Sequence, residues 1–145
     1  MARLRQPGML AWLHMVRVMH QIGRRASAQL EHYDLTPAQF DVLAQLSMAP
    51  GITQQMLADR LLVTKGNVTG LLDRMSYRGL LRRCPNPEDG RSHLLYLTEQ
   101  GSELAAEVVP AHEALIGTCM SHLTPDQQMT LQHLLRQLER GLSAD

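Results

Sequence analysis

The side chains best suited to chemistry with another molecule fall in two short clusters. The first is Thr64-Lys65-Gly66-Asn67, followed by Thr69 and Arg74. Small polar residues at the head of a helix can enter the major groove of duplex DNA. An Asn carboxamide joins a donor to an acceptor, which suits the adenine edge, and a Thr methyl suits thymine. Lys65 and Arg74 would reach phosphates, which position a protein without reading sequence. The second cluster is Asp89-Gly90-Arg91. A guanidinium on a projecting turn suits a narrow, A·T-rich minor groove. A carboxylate would repel phosphate, so Asp89 is expected to hold the turn by accepting hydrogen bonds from arginine side chains or loop N–H groups. Gly90 frees the backbone to turn.

Other chemistry is poorly supplied. Seven histidines (His14, His20, His32, His93, His112, His122, His133) and two cysteines raise the question of a metal. Only Cys119 and His122 stand at helical i, i+3 spacing, and two ligands do not make a zinc site. No metal and no cofactor are expected. Cys84 follows Arg82 and Arg83, whose charge would favour its thiolate if it were exposed. A phosphate-cradling glycine loop and a nucleophile elbow are both missing. Pairs such as Asp126 and His133 have no nucleophile beside them, so an enzyme is not expected. The aromatic residues Trp12, Tyr33, Phe40, Tyr77 and Tyr96 are too few for a platform that stacks single-stranded bases.

The elements that would carry the two clusters follow from periodicity. Apolar residues recur at steps of three or four between Met9 and Tyr33, predicting one long helix over 9–33. Thr36-Pro37 reads as a cap and first helical residue, and Phe40, Leu43, Ala44 and Leu46 give the next helix its apolar stripe. Thr53 is expected to cap a third helix, with Met56, Leu57 and Leu61 on one face. Thr64 is expected to cap a fourth, running through Val68, Leu71, Leu72 and Met75 to Gly79. The short gap between them is helix-turn-helix spacing. Residues 80–84 and 94–97 then read as two strands around a turn-rich, charged tip. Thr98 begins a helix over about 99–122, in which Pro110 predicts a kink, and Thr124-Pro125 begins a last one that ends at Gly141.

With 145 residues, 44% hydrophobic and 19% charged, the chain can fill one globular domain and is too apolar to be disordered. No apolar run reaches membrane-spanning length. Arg3 and Arg5 precede a run broken by His14, Arg17 and His20, which is a poor signal peptide, so a cytoplasmic protein is expected. The formal net charge is zero, which by itself argues against a partner held by bulk positive charge. The charge is unevenly spread, however. Between residues 60 and 91 there are seven basic and three acidic residues, whereas residues 101–145 hold two arginines and six acids. Met9, Leu10 and Leu13 at one end, and Leu131, Leu134, Leu135 and Leu138 at the other, offer apolar surface for a second copy of the chain.

Several fragments stand in one order along nearly the whole chain. They are Leu35-Thr36-Pro37-Ala38-Gln39-Phe40, Thr53-Gln54-Gln55-Met56-Leu57-Ala58 and the run over residues 63–75. Arg78-Gly79-Leu80-Leu81, Asn86-Pro87-Glu88-Asp89-Gly90-Arg91 and Leu97-Thr98-Glu99-Gln100-Gly101 complete the set. Together they resemble the MarR family of winged helix-turn-helix transcription regulators. The resemblance implies a mainly α fold with a small β-hairpin wing. It implies a DNA-binding lobe over 35–100 and a helical dimerisation lobe from 1–34 and 101–145. A homodimer on a pseudo-palindromic operator of double-stranded DNA is implied, acting as a ligand-responsive repressor. The family's small aromatic or phenolic effectors bind between lobes, which would here draw on His14, Arg17, Phe40 and His112, with Arg17 pairing a carboxylate. The chain departs from the family pattern at Asn86, where Asp is common, and at Gly70 and Gly90, where basic residues are common. Fewer positive charges imply weaker nonspecific binding or another base preference. Redox or metal control of the same fold is one alternative. A helical protein-interaction module without DNA binding is another, and it would not explain the turn, helix and hairpin of the centre.

Overall fold

The computed structural model describes residues 6–62 and 67–144. Among them, six helices and three short strands run in the order α1 (Pro7–Glu31), α2 (Pro37–Met48), β1 (Ile52–Thr53), α3 (Gln54–Arg60), α4 (Val68–Tyr77), β2 (Leu81–Pro85), β3 (His93–Leu97), α5 (Glu99–Met120) and α6 (Pro125–Ser143). The fold is mainly helical with a small antiparallel wing, as the sequence implies. The chain divides into two compact units between His112 and Glu113.

Local side-chain chemistry sets most helix starts. Thr36 and Gln39 form a reciprocal capping box at α2, and Thr124 and Gln127 form another at α6. The Thr53 hydroxyl accepts from Met56 N–H (3.2 Å), and the Thr98 hydroxyl accepts from Gly101 N–H (3.0 Å) while donating to the Gly79 carbonyl (2.5 Å). At α4 the expected cap is corrected. The helix begins at Val68, and Asn67 caps it, its Oδ1 accepting from Gly70 N–H at 2.8 Å. Thr64 lies outside the described residues, as do Lys65 and Gly66. Gly79, at φ +76°, takes the left-handed turn that ends α4.

The sheet also differs from the expected hairpin. It has three strands in the order β1-β3-β2, all antiparallel, with Ile52 opposite Leu95 and Leu81 opposite Leu97. A two-residue strand has no periodicity to read, which is why β1 escapes a sequence analysis. Further corrections concern ends and faces. α1 stops at Glu31, short of Tyr33; α5 stops at Met120; α6 runs past Gly141. Met56 is exposed, while Leu57 and Leu61 face inward. Pro110 lies within α5, where the sequence places it.

In the first unit, Leu30, Val42, Leu43, Leu57, Leu72, Met75, Leu95 and Val108 are wholly or almost wholly buried. They come from α1, α2, α3, α4, β3 and α5, so α4 and the wing are seated on one core. Asp41, itself buried, accepts from Leu62 N–H and so ties α2 to the segment after α3. Arg78 donates to the Asp34 carbonyl (2.6 Å) and to Gln39 Oε1 (3.3 Å), fastening the end of α4 to the turn between α1 and α2. In the second unit, Gln128 Nε2 donates to the Met120 and Leu123 carbonyls and closes the turn before α6. No helix of the described residues is long and apolar enough to cross a membrane.

Candidate nucleic-acid interface

α4 is anchored by Leu71, Leu72 and Met75 and turns Asn67, Thr69, Asp73, Arg74 and Tyr77 to solvent. Helical spacing puts residues 70, 73, 74 and 77 on one outer stripe. Its head is held from two sides. Asn67 caps its own helix, and Gln54 at the start of α3 places Nε2 2.9 Å from Thr69 Oγ1. Asn67, Thr69 and Arg74 are each exposed, and Thr69 lies off the stripe that carries Arg74.

The wing tip is an ordered hydrogen-bonded loop. Asn86 Nδ2 donates to Ser92 Oγ (2.8 Å), and Asn86 Oδ1 accepts from Glu88 N–H (3.0 Å). Asp89 Oδ1 accepts from Arg91 N–H at 3.0 Å, so this carboxylate holds the turn through a loop N–H. The Arg91 side chain is exposed and makes no hydrogen bond or ion pair among the described residues. The loop thus fixes the backbone of Arg91 and leaves its guanidinium available.

The positive charge of this segment is partly spent inside the molecule. Arg83 pairs with Asp73 at 2.7 Å. Arg82 lies 4.7 Å over the Tyr96 ring, and its Nη1 is 2.7 Å from Cys84 Sγ. Arg78 serves the fold, as described above. Between residues 60 and 91, the described arginines Arg60, Arg74, Arg82 and Arg91 are exposed, and Arg60, Arg74 and Arg91 make no side-chain contact of this kind among the described residues.

The residues expected to bind an effector are only half assembled. Phe40 and His112 meet, with ring centroids 4.2 Å apart. Beside them Gln29 Nε2 donates to the Ala111 carbonyl (3.0 Å), while its buried Oε1 has no hydrogen-bond partner among the described residues. His14 and Arg17 are exposed on α1, 15 and 12 residues before Gln29. At 1.5 Å per residue that is roughly 22 and 18 Å along the helix, so one chain does not bring them to Phe40. A separate hollow of about 460 Å³ between α2, β3 and α5 is lined by Leu46, Ser47, Tyr96, Leu97, Ala105 and Pro110 among others. No three His, Cys, Asp or Glu side chains of the described residues stand close enough to hold a metal, and Cys84 and Cys119 are free thiols.

No role for Gln54 or Tyr77 is assigned from sequence, and Asn86 is placed there only as part of the turn-rich tip. Gln54 meets Thr69 only through the fold. Asn86 precedes a proline, a turn signal that was legible. Tyr77 is 96% exposed at the end of the outer α4 stripe, where its spacing from Gly70 and Arg74 could have placed it.

Comparison with known proteins gives the arrangement its context. A family model described as MarR family matches residues 33–92. The multiple antibiotic resistance protein MarR of Escherichia coli is 33% identical over 131 residues, covering 84% of this chain and 88% of its own. A crystal structure of a cysteine-to-serine mutant of MarR from E. coli, complexed with operator DNA, matches with a TM-score of 0.79 and 32% identity over 91% of this chain and 94% of that one. AbsC, a MarR family transcriptional regulator from Streptomyces coelicolor, shares the fold over 100% of both chains, with a TM-score of 0.88 and 24% identity.

Proposed function

This chain belongs to the MarR family of DNA-binding transcriptional regulators, and from that premise we propose that it is a homodimeric, ligand-responsive repressor of a pseudo-palindromic operator. One observation carries the reading of the interface. The head of α4 and the tip of the wing are both locked by internal hydrogen bonds, yet both leave polar or cationic groups exposed. The fixed cap and loop backbone lose little freedom on binding, so only the free side chains need to be ordered. In this reading Thr64, Lys65, Gly66, Asn67 and Thr69 enter the major groove, Arg74 contacts phosphate, and Arg91 enters the minor groove. Asp89 shapes the wing. Residues 35–100 form the DNA-binding lobe, and 1–34 with 101–145 form the dimerisation lobe.

A dimer follows from reach and from surface. One reading helix spans only a few base pairs, and two helices about 34–36 Å apart would meet successive turns of one duplex face. α1 exposes Met9, Trp12 and Met19, and α6 exposes Leu134, Leu138 and Leu142. The effector is a small aromatic or phenolic compound seated at Phe40 and His112. His14 and Arg17 join that seat only if the second copy of the chain supplies them. The protein acts in the cytoplasm, where its operator lies.

Selection of DNA fragments by the purified protein, followed by binding titrations at rising salt, tests this function. An inverted-repeat sequence should be enriched, and its affinity should fall steeply with ionic strength. Compounds that release the fragment would identify the effector. Absence of any enriched sequence would overturn the reading.

A further inference from the structure

We propose that Asp41 is a positioning residue for operator reading. By holding the Leu62 N–H, it fixes where the chain leaves α3 for α4, and operator selectivity depends on that tie. The inference rests on the reading of α4 and the residues just before it as the DNA-reading element.

Asp41 is the one charged side chain that is buried among the described residues, at 6% exposure. It stands in α2 beside Val42, Leu43 and Leu46, which the same helix buries. A carboxylate taken out of water is costly unless donors meet it. An apolar side chain of similar size would often serve a core as well or better. The charge therefore draws attention to the group that it holds.

That group is a backbone N–H 21 positions away. Leu61 ends α3 in an extended conformation, and its own N–H still reaches the Leu57 carbonyl. One residue on, the helix is over, and the Leu62 N–H donates to Asp41 Oδ2 instead. Leu61 is 2% exposed and Leu62 83%, so the tie sits where the chain passes from core to surface. A carboxylate binds a backbone N–H about twice as strongly as a neutral acceptor does. Asp41 is itself firmly placed, in a helix whose start is fixed by the capping box of Thr36 and Gln39.

Two positions beyond Leu62 stands Thr64, the first of the residues assigned above to the major groove. The far side of this stretch is held as well, by Asn67 on the Gly70 N–H and by Gln54 on Thr69. Hydrogen bonds to base edges weaken steeply when donor and acceptor are misaligned. Attraction between cations and phosphates is less exacting, since it carries no sequence information. Loss of the Asp41 tie should therefore weaken operator binding and spare nonspecific binding.

Two affinities separate positioning from mere support. One is for the fragment that the native protein selects; the other is for random duplex of equal length at the same salt. Asp41→Ala should bind the selected fragment about tenfold or more weakly, and random duplex within about twofold of native. Asp41→Asn keeps the shape and one acceptor oxygen but not the charge, so its selectivity should lie between native and Asp41→Ala. It decides alone should Asp41→Ala not fold. Val108→Ala opens the same core without touching the tie. It should lower the melting temperature and keep the native ratio of the two affinities. Amide hydrogen exchange at Leu62 should quicken in both Asp41 variants while Leu72, in the core, stays protected. The proposal is overturned if the Asp41 variants keep the native ratio, if they lose both affinities in proportion, or if Val108→Ala loses as much selectivity as they do. If the native protein selects no fragment, the DNA-reading role itself fails and this inference falls with it.

Discussion

Asp73 and Arg83 show how a single residue sets the charge offered to DNA. The pair is 2.7 Å apart, with Asp73 61% exposed and Arg83 25% exposed. Ion pairs of this exposure contribute about 0–1 kcal/mol, so Asp73→Asn should leave the melting temperature almost unchanged. It should free the guanidinium on β2. Affinity for DNA should then rise, and the slope of log K against log salt should steepen by about one. An unaltered slope in salt titrations would mean that Arg83 does not reach phosphate. Arg91 is the opposite case. Its side chain makes no hydrogen bond or ion pair among the described residues, so Arg91→Ala should lose most operator affinity in a gel shift while the circular dichroism spectrum stays native. Retained affinity would remove Arg91 from the interface. Residue roles were legible from sequence where they are local, as at Asp89, which needed only its own loop. They were not legible where the fold supplies the partner. Gln54 reaches Thr69 across 15 positions, and Asn67 could not be seen as a cap while the helix start was placed at Thr64.

Elements were legible to the degree that their signals are local. The caps at Thr36, Thr53, Thr98 and Thr124 use hydroxyls and N–H groups three residues apart, and each was placed correctly. β1 was not, because its two residues are strand only through pairing with Leu94 and Leu95. The junction of α5 with the core shows a further constraint that no sequence pattern announces. Gly101 lies buried in the first turn of α5, and a Cβ there would collide with the Leu80 carbonyl oxygen. That oxygen already accepts from Thr98 N–H at 3.1 Å, and backbone cannot step aside as a flexible side chain can. Alanine would gain about 1 kcal/mol of helix propensity. Overpacking in such a site costs about 1–3 kcal/mol, and backbone contact puts the cost at the upper end. Gly101→Ala should therefore lower stability by about 1–2 kcal/mol net. Thermal melts of both proteins at one concentration would show it as a drop of a few degrees. An equal or higher Tm would mean that α5 shifts to accommodate the methyl group.

At the scale of the whole molecule, the zero net charge is a sum over parts that do different work. Of the seven basic residues between 60 and 91, Arg78, Arg82 and Arg83 are engaged by other groups of the protein. Few cations remain to hold DNA without regard to sequence, so one copy should bind it weakly. Two copies on one duplex would add their contacts at the cost of a single docking event, which makes dimer formation decisive for affinity. α6 is the element to test. None of its residues is buried, and Leu134, Leu138 and Leu142 are 55%, 48% and 69% exposed along one stripe. A helix of this kind is stabilised by covering its apolar face rather than by propensity alone. Leu134→Glu combined with Leu138→Glu places charge on that face, outside the unit that carries α4 and the wing. Light scattering should give the native protein twice its 16.3 kDa chain mass and the double variant a single chain mass. Operator affinity should fall by at least about a hundredfold, as expected when a second linked contact is lost. A double variant that stays dimeric would move the interface away from α6. A monomeric variant with undiminished affinity would show that one reading head suffices, which the sparse exposed charge argues against.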